Sequence, residues 1–584
     1  MRQLTRFVGA TCAVVLGLLW TAAGVYGAET VPNDRRLPPE VVAYLDVRDV
    51  NQLKEKWHKT LLGQLLQEEE LKAFWKELER PLADLSGQVE SELGLPLKAL
   101  LAVPQGEITI AVIQPPGRKL NVVALLNYGT QKETVQKLLE RAEEALKDQD
   151  ATRSEQEVEG TTITVYAQPA DDDDRASESG STVAWFLKDT TLAVGSGVEG
   201  LKSILTRWDG KQARVLAENE VYSYIMEKCG DGKSGAQPPI SWYVDPIGLI
   251  KGVIASAGGV SPQTAMMMSF IPALGLDKLK AVGGTLDLAT EEFDTITRTL
   301  VYVESPTSGV LKLFSFPATT QAPPKWVTAD ANTYFAINWD VASAYDAAGA
   351  LYDMFAGPGA LERLVDELAR SNEGPKVHIK KDLIDQLTGS IQVAALPPAA
   401  ESDDDEEAAT DRYIFALGTK DEAALTKTLT AVSKTPGFPG EAREFQGTTL
   451  YEIPTPTGAA ALAISRGHLL ITTDVTLLES VLRSGNEQDA LVDSDAYKRI
   501  SKVFPAQTSS IGFQRSDAQI KGIYEALRSG QADQFLSDVE IDFSKLPAFE
   551  VIEPYLTPSG SYMVPDERGM FMMSFSLKGK ANGK

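Results

Sequence analysis

GSGVEG, Gly195–Gly200, is the part of this chain nearest to a nucleotide-binding loop. It satisfies Gly-x-Gly-x-x-Gly, follows a predicted strand, opens a predicted helix, and has Glu218 and Glu220 about 20 residues on. In a dinucleotide fold such glycines let backbone amides approach a pyrophosphate while an acid holds the ribose. The context argues for a turn and a helix cap instead. The strand is the last of a predicted meander rather than the opening strand of a parallel βαβ unit, and the next element after the helix is another helix. GDGKSG, residues 230–235, ends in Gly-Lys-Ser like a phosphate loop. The glycine required five positions before Gly232 is Glu227, so a polar connection is expected.

Other chemistry has little to draw on. His58, His378 and His468 have no second histidine or cysteine at ligand spacing, and His-Glu-x-x-His is absent. Gly-x-Ser-x-Gly and Ser-x-x-Lys are absent too. The acidic runs Asp171–Asp174 and Asp403–Glu407 fall between paired strands and lack EF-hand spacing; solvated loops are expected, with weak calcium binding as the alternative. The 81 acidic residues guarantee close carboxylate pairs somewhere, so paired-acid chemistry stays open. AMMMSFIPALGL, residues 265–276, and the late Met570, Met572 and Met573 read as core packing, with a lipid or helix groove as the other reading. No catalytic, cofactor-binding or metal residue is expected, and the leaning is toward a protein that is not an enzyme.

The chain's 584 residues exceed one ordinary core, and its 43% apolar and 23% charged content is that of a folded protein. Arg2 and Arg6 precede an uncharged run, Phe7–Ala28, that ends in small residues. Residues 1–28 therefore read as a signal peptide cleaved after Gly27 or Ala28, or as an uncleaved anchor through residues 7–28, that run being the one expected membrane tether. The rest would be exported, periplasmic or extracellular. Cys12 leaves with the signal and Cys229 stays alone, so stability comes from packing, and a buried thiol is expected. A net charge of −25 repels nucleic acid and anionic headgroups.

The elements that carry these residues occur twice. EGTTITVYA (159–167) is echoed by QGTTLYEIP (446–454). In the same order, VVAYLDVRDV (41–50) matches NTYFAINWDV (332–341), and NVVALLNYGTQKETVQKLL (121–139) matches RYIFALGTKDEAALTKTL (412–429). LKSILTR (201–207) matches LESVLR (478–483), EVYSYI (220–225) matches DAYKRI (495–500), and WYVDPIGLIKG (242–252) matches GFQRSDAQIKG (512–522). The spacing between matches never rises along the chain and falls in its later part, as a colinear duplication with longer loops in the first copy requires. Two homologous domains, 29–326 and 327–584, are expected, joined by the linker TTQAPPK (319–325). Each reads as α+β: a mainly antiparallel sheet with helices packed on it. Thr130 with Glu133, and Thr419 with Glu422, fit a capping box at a helix start in each copy.

The stretch LPPEVVAYLDVRDVNQL (37–53), with the GTT strand and LKSIL helix, resembles the bacterial envelope family known as domain of unknown function 3352, which includes exported members of planctomycete-like bacteria. The resemblance implies an exported α+β protein and carries over no catalytic residue. The expected function is a cell-envelope binding or scaffold protein, with a protein or hydrophobic ligand as partner. A carrier of lipid or another hydrophobic ligand is one alternative; a hydrolase with carboxylate chemistry is the other.

Overall fold

Glu159-Gly160 and Gln446-Gly447, which open the two GTT echoes, all sit at positive φ, between 48° and 80°. Two successive left-handed residues make the two-residue hairpin turn whose twist matches its strands, and glycine accepts the second position without strain. The echo is therefore a hairpin built twice. The computed structural model describes residues 31–579, apart from 116–117, 170–181, 213, 231–237, 258–260, 372–373, 399–410, 457, 484–488 and 532–540. The 1–28 segment, both acidic runs and most of GDGKSG lie outside the described residues.

The first half contributes β1 (Val41–Val47), β2 (Ile108–Ile113), β3 (Asn121–Asn127), β4 (Thr152–Val158), β5 (Thr161–Ala167), β6 (Thr182–Lys188), β7 (Thr191–Gly195), β8 (Ile240–Val244), β9 (Leu279–Leu288) and β10 (Phe293–Val303). The second contributes β11 (Thr333–Asn338), β12 (Leu387–Leu396), β13 (Arg412–Thr419), β14 (Glu441–Phe445), β15 (Thr448–Thr455), β16 (Gly458–Ser465), β17 (His468–Thr472), β18 (Ser510–Gln514), β19 (Ser559–Asp566) and β20 (Gly569–Leu577). Pairing runs β4-β5-β6-β7-β3-β2-β1-β8-β9-β10 in the first half. It runs β14-β15-β16-β17-β13-β12-β11-β18-β19-β20 in the second, the same order strand for strand. β10 pairs with β20, so the two sheets are one antiparallel sheet of 20 strands. Antiparallel pairing of equivalent strands places the halves about an approximate twofold axis at that seam.

Helices cover both faces. In the first half these include α1 (Val50–Lys59), α2 (Lys72–Leu93), α3 (Lys132–Lys147), α4 (Val198–Leu205), α5 (Glu220–Cys229), α6 (Pro246–Ser256) and α7 (Pro262–Ala273). In the second they include α8 (Val341–Ala356), α9 (Ala360–Arg370), α10 (Glu422–Ser433), α11 (Val475–Arg483), α12 (Asp495–Ser501) and α13 (Ser516–Arg528). The fold is α+β, with helices on a large antiparallel sheet. The inner face packs Tyr44, Val123, Leu125, Ile163 and Phe186 against Leu201 and Ile204 of α4 and Ile225 of α5. The second half buries Tyr334, Ile414, Leu450 and Leu470 against Leu478 of α11 and Ile500 of α12.

Several local expectations are corrected. Thr130 does not cap α3: its hydroxyl and amide both bond to Gln105 Oε1, and Gln131 precedes the helix without a side-chain cap. Thr419 stays in β13; Asp421 caps α10 by accepting from Ala424 N at 3.0 Å, while Glu422 accepts from Gly467 N. In both places a nearer polar partner won over the capping box. The stretch 319–325 is no free linker. Thr319 pairs with Thr508, Gln321 donates to Thr508 O at 2.7 Å, and Trp326 and Val327 enter the second core. β4 and β14 lack the apolar alternation that marks a half-buried strand in sequence: TRSEQEV and EAREF carry charges instead.

Candidate functional site

A buried charge cluster sets the first half apart from the second. Alternation along β1 puts Tyr44 and Asp46 on the inner face, opposite Ala111 and Thr109 of β2. Glu107 lies just before β2, Arg48 just after β1, and the turn Asn33–Arg35 brings Asn33 and Asp34 over them. Thr109 Oγ1 donates to Asp46 Oδ1 at 2.6 Å and accepts from Asn33 Nδ2 at 2.8 Å. Glu107 Oε1 accepts from Arg48 Nη1 at 2.8 Å and from Asn33 N at 3.0 Å. Arg48 Nε lies 3.7 Å from Asp46 Oδ2, and Asp34 Oδ1 has no hydrogen-bond partner. Burial drives Glu107 up to about 8, helped by the negative charge of Asp46. Burial also drives Asp46 up to about 6, with Arg48 opposing the shift.

The register identifies the matching positions in the second half. Leu37 O accepts from Leu216 N, and Val327 O from Leu491 N, at 2.9 and 2.8 Å. Tyr44 faces Tyr243, as Tyr334 faces Phe513. Asp46, Glu107, Thr109 and Arg36 thus correspond to Ala336, Ser390, Gln392 and Trp326. There the polar contacts are neutral: Tyr334 Oη donates to Gln392 Oε1 at 3.2 Å, and Gln392 Nε2 to Ser390 Oγ at 3.1 Å.

Two acids with raised affinity for protons are what a general acid–base pair needs. Access is what they lack: Asp46 is 1% exposed and Glu107 nearly as covered. Two open concavities among the described residues lie elsewhere. One, about 740 Å³, runs along α10 past Glu422, Thr426 and Thr430. The other, about 580 Å³, lies over β5 and β6 by Thr162, Thr164 and Trp185. The cluster's contacts tie the turn Asn33–Arg35 to the sheet. The sequence carries only single hints of it: Asp46 occupies an inward position of the apolar strand VVAYLDV, and Glu107 directly precedes ITIAVI.

The motifs singled out from sequence stay apart. Gly195 ends β7, which pairs antiparallel with β6 and β3, so no βαβ crossover surrounds GSGVEG. A Cβ at Gly197 would meet Asn121 Oδ1 at 2.7 Å, and one at Gly200 would meet Val123 Cγ1 at 2.9 Å, so these glycines serve close packing of α4 on β3. His58 approaches Gln67, His378 lies 3.5 Å from Asp366, and His468 bonds to Arg466 O. Cys229 is buried, its thiol pushed up to about 12 by desolvation. Among the described residues no group of three metal-ligating side chains converges.

The outer face of the sheet presents a different kind of site. α1 covers one end of it through Val50 and Leu53 on Val47 and Ile108, and α6 lies along the other, with Gly248 against Val42. Between them a row of apolar side chains crosses the strands: Trp242, Leu45, Ile110, Ala124 and Val194. The corresponding row in the second half is Phe335, Val393, Phe415 and Ile471. Leu45 and its counterpart Phe335 are each 38% exposed. Val122 and Tyr413 are exposed at equivalent positions, as are Ile250 and Ile520, and Val253 and Ile523. Sequence periodicity marked these strands as half-buried and could not show that part of the second face stays exposed between its helices. No family model, curated protein or solved structure matches the chain.

Proposed function

We propose that this chain is an exported cell-envelope protein, built by duplication, whose work is binding rather than catalysis. The resemblance of residues 37–53 to exported envelope proteins belongs to the same proposal. One observation carries it: large side chains stand partly exposed at matching positions of the outer face in both halves, Leu45 with Phe335 and Val122 with Tyr413, each more than a third open to solvent. A folded chain with ample polar residues leaves such a row open where something apolar docks. The side chains differ between halves while their apolar character does not.

Carriage of a lipid or other hydrophobic ligand is the second reading, favoured by the row's form. It crosses five strands between helical walls, a floor of roughly 20 Å at the usual strand spacing. The carboxylate-hydrolase reading has two proton-holding acids in its favour and their burial against it. A solvatochromic fatty-acid probe tests whether the rows take up apolar groups, which both readings require. Fluorescence should rise with the unaltered protein, fall by about half in Leu45→Asp or Phe335→Asp, and vanish in the pair. No rise, or a rise untouched by the pair, overturns it.

A further inference from the structure

The turn Asn33–Arg35 has a counterpart in the second half, and the two differ in what lies beneath them. Arg35-Arg36-Leu37 corresponds to Lys325-Trp326-Val327, since Leu37 O and Val327 O accept from Leu216 N and Leu491 N. Each turn precedes the first strand of its half.

Under the first turn lie acids. Asn33 donates through its amide to Glu107 and through its side chain to Thr109, which in turn donates to Asp46. Tyr222 Oη lies 3.5 Å from Asp34 Oδ2. All six of these side chains are buried. The groups facing Asp46 and Glu107 are Asp34 and Arg36 of the turn, Tyr44 of β1, Arg48 just after it, and Tyr222 of α5. Asp189, just after β6, acts on Arg36, whose guanidinium also lies 4.0 Å from the centre of the Trp208 ring. Three carboxyls therefore share two guanidiniums away from bulk water. A buried group of that composition is most stable with a proton on at least one acid, because like charges in low dielectric repel and lose their hydration.

Under the second turn the contacts are neutral. Tyr334 Oη lies 3.5 Å from Ala322 O and bonds to Gln392, while Ala336 and Ser390 stand where the first half has Asp46 and Glu107. Trp326 replaces Arg36, with His468 beside it at 6.0 Å between ring centres.

The first turn is built to move locally. Its own bonds are internal, from Arg35 N to Pro32 O and from Arg36 N and Leu37 N to Asn33 O. Leu37 is fully buried, and Pro38-Pro39 stiffens the chain between it and β1. Residues 31–36 can lift as a unit about Leu37 while β1 keeps both of its partners.

We infer that residues 31–36 form a proton-gated strap, closed while Asp46 and Glu107 hold at least one proton between them and lifting from the sheet when both are ionised. The sign follows from burial. Both acids keep protons to higher pH when covered than when open to water, so alkaline solution favours the lifted strap and acid the closed one. Lifting brings water to the two acids that the closed strap covers. The inference does not depend on the outer-face reading.

Hydrogen exchange read by mass spectrometry tests it on the unaltered chain, through peptides over residues 31–37 and 322–328. With the intrinsic exchange rate at each pH divided out, protection of the first should fall at least ~10-fold between pH 6 and pH 8, since one released proton shifts an opening equilibrium by up to roughly tenfold per pH unit. Protection of the second should hold. Glu107→Gln removes the titrating group and should abolish the fall; Asp46→Asn should lessen it. Far-ultraviolet circular dichroism checks that both variants fold, and where Glu107→Gln does not, Asp46→Asn and the comparison of the two peptides decide. A flat response of the first peptide, an equal loss from both peptides, or a fall left unchanged by the variants would overturn the inference.

Discussion

Phe293 and Phe575 meet with ring centroids 5.1 Å apart on β10 and β20, where one half of the sheet hydrogen-bonds to the other. Both rings belong to the second core, so a residue of the first half's last strand fills the second half's interior. Thr295 and Ser576 add a hydroxyl contact of 2.8 Å beside them.

Phe575→Ala should therefore cost about 3–5 kcal/mol, the usual range for removing a buried ring. The loss should be read by chemical denaturation with probes in both halves. Because the seam is shared, both probes should shift; a shift confined to the second half would refute the coupling.

The cluster under the first half predicts a dependence on pH. The carboxyls of Asp46 and Glu107 bind protons more tightly folded than unfolded, to about 6 and about 8. Their contribution is complete below the unfolded values, near pH 4, and is lost as pH rises toward 8. Glu107→Gln keeps an oxygen for Asn33 N and Arg48 and removes the titration. Its stability relative to the unaltered protein should rise from pH 5 to pH 9, measured by urea midpoints. A flat difference would refute the assignment.

Arg48→Met tests the cluster from the other side. It leaves Asp46 and Glu107 buried without their cation, a loss expected to cost roughly 3–5 kcal/mol near pH 8. At pH 4, where both acids hold protons, the penalty should shrink. Equal losses at the two pH values would show that the arginine acts through packing alone.

Cys229 should be inert in the folded chain. Its thiol is buried and pushed up to about 12, so the reactive thiolate is scarce at neutral pH. Modification by a chromogenic disulfide should be negligible without denaturant and stoichiometric with it. Rapid native labelling would contradict the burial.

Much of the fold was legible because apolar alternation and turn chemistry are local. β1 and β5 lie in VVAYLDVRDV and EGTTITVYA, two of the stretches that recur, and the GTT echo marks one hairpin turn in each half. β4 and β14 escaped because edge strands carry charge in place of apolar alternation. The charge cluster escaped because its members come from residues 33–48 and 107–109, which only the β1–β2 register brings together. The core packing expected for residues 265–276 is corrected for a related reason: α7 buries only Ile271 and leaves Met266, Met267 and Phe270 exposed, since composition does not state what the fold sets beside a helix.

One consequence follows from the unbroken sheet. Leu45 on β1 and Phe335 on β11 are seven strand steps apart through the seam, roughly 34 Å along a ribbon with the usual spacing. A hydrogen-bonded ribbon sets that gap as a flexible tether would not. A guest with two greasy handles at the matching pitch would gain by chelation, its second grip formed at high effective concentration. One with a single handle, or with the wrong pitch, would have only the weaker grip. The molecule would then act as a ruler.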